Sequence, residues 1–92
     1  MTSLTFTKDP STGLYKSSFV GTGDAVAVQL NRTKNAPLRF SANIGSMEPT
    51  EFACFNSVTT PANFFRVLPN IPNGVTVTIE SFSEVTSGGY EG

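Results

Sequence analysis

The sequence contains no histidine and only one cysteine, Cys54, in 92 residues. Without an imidazole, the commonest general base of enzymes and the commonest metal ligand are both missing. A lone cysteine cannot close a disulfide within the chain, and its position between Ala53 and Phe55 is typical of a small buried thiol. These absences exclude Ser-His-Asp and Cys-His catalysis. We expect no cofactor, no metal centre and no disulfide-stapled secreted module.

Charge is scarce as well. Charged residues make up 14% of the chain, and the net charge is −1. Because no basic field is present, we expect neither nucleic acid nor an anionic membrane surface as a partner. The seven carboxylates are scattered through turns rather than paired beside a cleft, so we predict that the protein is not an enzyme.

Long apolar runs are also missing. No run approaches the roughly 18–20 residues needed to cross a bilayer. The first residues, MTSLTF, have no basic cluster followed by an apolar stretch, so we expect that the protein is not secreted by a signal peptide.

The residues that are abundant favour strands. Threonine occurs 12 times, valine 8 times and isoleucine 3 times, and these β-branched residues are enriched in sheets. For a mass of 9.8 kDa, surface scaling predicts about 5,200 Å² of accessible area in the folded chain. The surface that a chain of this size can bury on folding is enough for one modest hydrophobic core, and we therefore expect one domain.

Seven segments alternate apolar and polar residues in the manner of half-buried strands, and turn residues separate them. The pattern predicts a single antiparallel β-sandwich over residues 1–82, immunoglobulin-like or jelly-roll-like, with a small β-barrel as the alternative. After residue 82, two glycines and no apolar period predict a flexible C-terminal tail over 83–92. The predicted strands cover 4–8, 15–20, 25–30, 38–44, 51–55, 64–68 and 75–81.

Three aromatic residues break the phase of their strands. In the sixth segment Phe65 and Val67 are assigned to the core, which turns Phe64 outward, and Phe55 and Phe82 also fall on the side away from the core. Large outward aromatics could form a patch for a protein partner. Alternatively, bulges could turn some of them back inside.

Two polar connections offer other interpretations. Arg32, Lys34 and Arg39 lie close together in sequence without an interleaved outward aromatic, so we interpret this cluster as a solvated loop rather than a nucleic-acid site. The polar loops 31–37 and 56–63 could bind sugar hydroxyls, with Tyr15 or Tyr90 as a stacking platform. A carbohydrate-binding or adhesion module is therefore the alternative from another functional class.

The order of elements resembles a known group of proteins. The runs LTFTKD, TGDAVAVQL, PLRFSANIG and VLPNIPNGVTVTIES are similar to the strands and turns of small one-domain β-sandwich proteins encoded with tailed-phage virion genes. The resemblance covers residues 4–82. It implies an auxiliary or decoration protein on the capsid surface of the virion, bound to the major capsid protein and other virion subunits.

The resemblance also leaves two structural roles open, since a tail or neck component and a homo-oligomer are both compatible with it. Whichever virion subunit is the partner, interfaces concentrate their binding energy in a few buried aromatics. We expect these contacts from the out-of-phase aromatics and from side chains in the predicted loop and tail, namely Phe55, Phe64, Phe82, Tyr90 and Met47.

Overall fold

The computed structural model describes residues 1–42, 50–55, 60–68 and 70–92. The described residues form strands joined by turns, and no helix occurs among them. The strands are β1 (Thr2–Ser3), β2 (Thr7–Lys8), β3 (Tyr15–Val20), β4 (Val26–Arg32), β5 (Leu38–Ala42), β6 (Thr50–Phe55), β7 (Asn63–Leu68), β8 (Thr76–Ser81) and β9 (Val85–Glu91).

The strands form two antiparallel sheets. The four-stranded sheet, here called sheet A, has the order β1-β9-β4-β7, and the five-stranded sheet B has the order β2-β3-β8-β5-β6. Every pairing between described strands is antiparallel. The prediction of an all-β antiparallel sandwich is therefore confirmed.

The two halves of the chain pair with each other in reverse order. β1 pairs with β9, β3 with β8, β4 with β7, and β5 with β6. These pairs form one long two-stranded ribbon, and the ribbon is rolled so that β9 also pairs with β4 and β8 also pairs with β5. Such an arrangement is a jelly roll rather than an immunoglobulin-like order. It is a sandwich of two sheets, since no described strand joins sheet A to sheet B by pairing.

One layer of side chains between the sheets forms the core. Leu30, Leu38, Phe40, Val77 and Ile79 are fully buried. They alternate along β4, β5 and β8, as the period of the sequence predicts for these strands. The accessible surface is 5160 Å², which agrees with the scaling for a domain of this mass.

Only the end of the first predicted strand, 4–8, is a strand, namely β2 in sheet B. β1 precedes the predicted strand and lies in sheet A, and residues 4–6 connect the two sheets. Between them, Leu4 is buried, Phe6 packs on the core, and the Leu4 amide donates to the Gly88 carbonyl at 2.9 Å. The segment that connects the two sheets thus adds two apolar side chains to the core.

The predicted phase of the sixth segment is wrong. Phe64 is 4% exposed, whereas Phe65 and Val67 are 60% and 58% exposed. The pairing of β7 with β4 explains the reversal, because Phe64 lies opposite the buried Leu30. Antiparallel partners share one face of a sheet, so the buried face of β4 determines which face of β7 enters the core.

The predicted flexible tail is also wrong, because residues 85–91 form β9 between β1 and β4. Its glycines are required by close packing. A Cβ on Gly88 would lie 2.7 Å from Leu30 Cδ2, and one on Gly89 would lie 2.9 Å from the carbonyl oxygen of Thr2. Both distances are far inside van der Waals contact, so the missing side chains let neighbouring strands approach.

Candidate interaction surfaces

The predicted contact aromatics do not form one patch. Phe82 follows β8 and is 42% exposed, with its ring centroid 5.9 Å from the guanidinium carbon of Arg39. Tyr90 lies in β9, half-buried, and its ring stacks on Phe19 with centroids 4.8 Å apart. Phe64 lies in the core. Phe82 therefore remains a candidate for a contact, whereas Phe64 does not, and Tyr90 contributes mainly to packing.

Two of the predicted contact residues lie wholly or partly outside the described residues. Phe55 ends β6 and lies opposite Leu38 in the register of sheet B, and its side chain is outside the described residues. Met47 lies outside the described residues altogether.

The outer face of sheet A contains Met1, Phe65 and Val67, three of the five exposed large apolar side chains among the described residues. Phe65 and Val67 stand side by side on β7, next to Gln29 and Ala27 of β4. Register, together with the alternation of residues along β1, places the following residues on this side of the sheet, here called the sheet A face: Met1, Ser3, Ala27, Gln29, Asn31, Asn63, Phe65, Val67, Ser87, Gly89 and Glu91. Gly89 is buried among them. Within this set the only charged side chain is that of Glu91.

Sequence analysis assigned Phe65 and Val67 to the core and so missed them as surface residues. The position of Leu68 was a signal that could have identified them as surface residues. Leu68 is four residues after Phe64 and therefore lies on the same face of the strand. Leu68 is buried opposite Val26, so Phe65 and Val67 lie on the other face.

The outer face of sheet B has the opposite character. Lys16, Glu80 and Arg39 form a row across β3, β8 and β5. The Lys16 ammonium lies 2.9 Å from Asp9 and 3.3 Å from Glu80, and Arg39 lies 3.5 Å from Glu80. Because these charges neutralise one another at the surface, this face is well suited to remain in water.

The ion pair of Asp9 has a consequence for stability at low pH. A hydrogen bond from Lys16, supported by the Ser11 amide, holds the pKa of the Asp9 carboxyl below its usual value. A lowered pKa in the folded state stabilises the fold above the unfolded pKa, and this contribution disappears as the pH falls below about 4. We expect Asp9→Asn, which keeps an acceptor for Ser11, to be less stable than wild type at neutral pH and equal to it in strong acid.

Urea unfolding across this pH range measures the difference. The matched control is Asp24→Asn, at an exposed carboxylate with no ion pair among the described residues. A constant gap between Asp9→Asn and wild type at every pH would contradict the assignment.

The most elaborate polar arrangement surrounds a buried cation. Arg32 ends β4 and is only 6% exposed. Its guanidinium donates to the carbonyls of Pro37 at 3.3 Å, Thr60 at 3.1 Å and Pro61 at 2.7 Å, and to Ser81 Oγ at 3.4 Å. These contacts link the connection after β4 and the connection before β7 to Ser81 at the end of β8. No carboxylate pairs with Arg32 among the described residues, and burial lowers the pKa of its guanidinium.

The interpretation of Arg32 as part of a solvated loop is therefore wrong. The residue continues the inward phase of Val26, Val28 and Leu30, and this phase was the signal that could have identified it. Its chemistry is that of a structural anchor, because all four acceptors belong to the protein itself.

The polar groups of the adjacent connection are largely engaged within the fold. The Thr33 hydroxyl lies 3.0 Å from the Ser83 hydroxyl, and Asn35 Oδ1 accepts from the Ala62 amide at 2.9 Å. A sugar would have to compete with these hydrogen bonds. The loop 31–37 is therefore a poor carbohydrate site, and residues 56–59 of the second polar loop lie outside the described residues.

The described residues contain no cluster of three His, Cys, Asp or Glu side chains arranged to hold a metal ion. They also contain no helix long and apolar enough to span a membrane. No protein-family model, curated protein or solved structure matches this chain.

Proposed function

We propose that this chain is a structural, non-enzymatic protein of a tailed-phage particle that binds the major capsid protein as an auxiliary or decoration protein. The observation that carries the proposal is the sheet A face, where Phe65 and Val67 expose 60% and 58% of their surface side by side. Large apolar side chains grouped on one surface are typical of protein-binding sites, and aromatic anchors supply much of the energy of such contacts.

The fold and the sequence support the proposal in different ways. Jelly rolls occur in viral capsid proteins and in lectins, so the topology is compatible with a virion role without requiring one. The resemblance of the strand and turn pattern to small virion proteins favours the first of these two groups. The near absence of charge on the sheet A face favours a dry protein contact.

The proposed mechanism is attachment of one flat sheet face to the shell. Phe65 and Val67 lose water on binding, and the neighbouring Gln29 supplies a polar group at the same surface. Contacts that span neighbouring capsid subunits would resist their separation under internal pressure. No bond is made or broken, and binding energy alone performs the function.

Replacing both Phe65 and Val67 by serine is expected to preserve the fold and to weaken attachment. Both side chains are already more than half exposed, so folding depends little on them. A central interface aromatic contributes about 2 kcal/mol or more, and we therefore expect a loss of affinity of roughly thirtyfold. Co-sedimentation with shells assembled from the associated major capsid protein measures it, and circular dichroism verifies the fold.

The matched control is Phe82→Ser, at an exposed aromatic that lies beside Arg39 of sheet B. Attachment that depends on Phe82 and not on Phe65 and Val67 would contradict the choice of face. Sedimentation with tails or necks but not with shells would place the protein elsewhere in the particle. Reproducible binding to one glycan class, with no affinity for any virion component, would overturn the proposal in favour of a carbohydrate-binding module.

A further inference from the structure

One edge of sheet B is only partly covered. β2 pairs with β3 at Tyr15 and Lys16 and then ends. On its other side, β3 pairs with β8 along its whole length, from Tyr15 to Val20. No described strand lies beside 17–20 on the side of β2, so this half of β3 is a free edge.

The backbone groups at this edge can be assigned from their neighbours. The Gly21 amide donates to Val75 on the side of β8, and the Asp9 amide donates to the Leu14 carbonyl on the side of β2, both at 2.8 Å. Successive residues of an antiparallel strand direct their N–H and C=O to opposite sides. The N–H and C=O groups of Ser18 and Val20 therefore point outward at the free edge.

The space beside this edge is open, and the edge lacks the usual protection against pairing. Ser17 and Ser18 line a cleft of about 510 Å³ together with residues 3–5, and Val20 lines a second cleft of about 290 Å³ together with Thr2 and Tyr90. Natural edge strands are commonly blocked by proline, a bulge or an unpaired charge. Residues 17–20 contain no proline or charge, and their register with β8 is regular.

The charge nearest to the edge does not oppose pairing either. The ammonium of Lys16 is held by Asp9 and Glu80 at 2.9 and 3.3 Å. With a net charge of −1, two copies of the chain also repel each other little.

We propose that β3 pairs with β3 of a second copy across a twofold axis, so that the two B sheets become one continuous sheet. The axis passes beside Phe19, and Ser18 lies opposite Val20 of the other copy. In this register the outward N–H and C=O groups of Ser18 and Val20 in each copy form hydrogen bonds with those of the other copy. A register centred on Ser18 would instead require the backbone of Lys16, which already pairs with Thr7.

A second copy fits this edge because an antiparallel edge is complementary to itself about a twofold axis. Pairing would also cover Val20, which is 50% exposed in the single chain. The sheet A face lies on the other sheet and stays accessible, so the inference is independent of the proposed function.

Sedimentation equilibrium of the full chain tests the proposal. We expect a reversible dimer of the 9.8 kDa chain with a dissociation constant below about 1 mM. Val20→Lys places a charge at the edge and Ser18→Pro removes one edge N–H, and each should raise the dissociation constant roughly tenfold or more. Val67→Lys makes the same change at a similarly exposed valine of the sheet A face, and should leave the dimer unchanged.

Amide hydrogen exchange of the wild-type protein gives a second test that needs no variant. The backbone amides of Ser17 and Phe19 point toward β8 and should be protected from exchange at every protein concentration. Ser18 and Val20 should become protected only as the protein concentration rises. A chain that stays monomeric at about 1 mM overturns the proposal, as does a dimer that withstands Val20→Lys or one that Val67→Lys also dissociates.

Discussion

Replacing Phe64 by alanine is expected to lower the free energy of unfolding by about 3–5 kcal/mol. The side chain is 4% exposed, and its ring centroid lies 6.1 Å from that of Phe40. Truncation removes most of a buried aromatic from a single-layer core, and the residual cavity cannot collapse easily between two sheets. Chemical denaturation monitored by circular dichroism measures the loss.

Phe65→Ala is the matched control for this prediction. Phe65 is the adjacent residue of the same strand and has the same side chain, but it is 60% exposed on the sheet A face. We expect its replacement to change the free energy of unfolding by less than about 1 kcal/mol. Equal effects at the two positions would show that the assigned phase of β7 is wrong.

Replacing Arg32 by alanine is expected to cost about 2–4 kcal/mol of stability. The variant removes the guanidinium donor of the Pro61 carbonyl at a part-buried site, whereas the carbonyls of Pro37 and Thr60 keep the amides of Phe82 and Ala36. A buried acceptor without its partner is expensive, and the hydrogen bonds that are lost come from a charged donor, which makes them stronger than average. Thermal and urea unfolding measure the total loss.

The matched control is Lys34→Ala, because Lys34 is an exposed cation in the connection that follows Arg32. Its backbone amide donates to Ser83 Oγ at 3.2 Å and is unaffected by the change of side chain. We expect an effect within about 0.5 kcal/mol. Since neither Arg32 nor Lys34 lies on the sheet A face, a stable fraction of Arg32→Ala should still bind the proposed partner.

The strands with the most regular alternation could be predicted from the sequence in detail. Val26, Val28 and Leu30 of β4 are buried as predicted, and so are Val77 and Ile79 of β8. Both are central strands with a neighbour on each side, and apolar and polar residues alternate along them. For such strands local composition and tertiary burial favour the same face.

The candidate surface could not be predicted in the same way. Either face of β7 contains apolar residues, and the face with Phe64 also contains Arg66. The sequence pattern favoured Phe65 and Val67 as the buried pair because their face of the strand contains no charged residue. β7 is an edge strand, however, where Arg66 stays exposed while its neighbours in phase are buried.

By itself, the sequence determined the all-β class, the single small core and the lack of an imidazole, because these follow from composition and from the two-residue period of strands. Only the tertiary structure decided the jelly-roll order, the crossing at Leu4 and Phe6, the strand at 85–91 and the exposure of Phe65. Each of these depends on contacts between distant residues, such as Leu30 opposite Phe64 and against Gly88. The missing histidines excluded a class of functions, whereas the strand pairing placed Phe65 and Val67 on the surface from which a function is proposed.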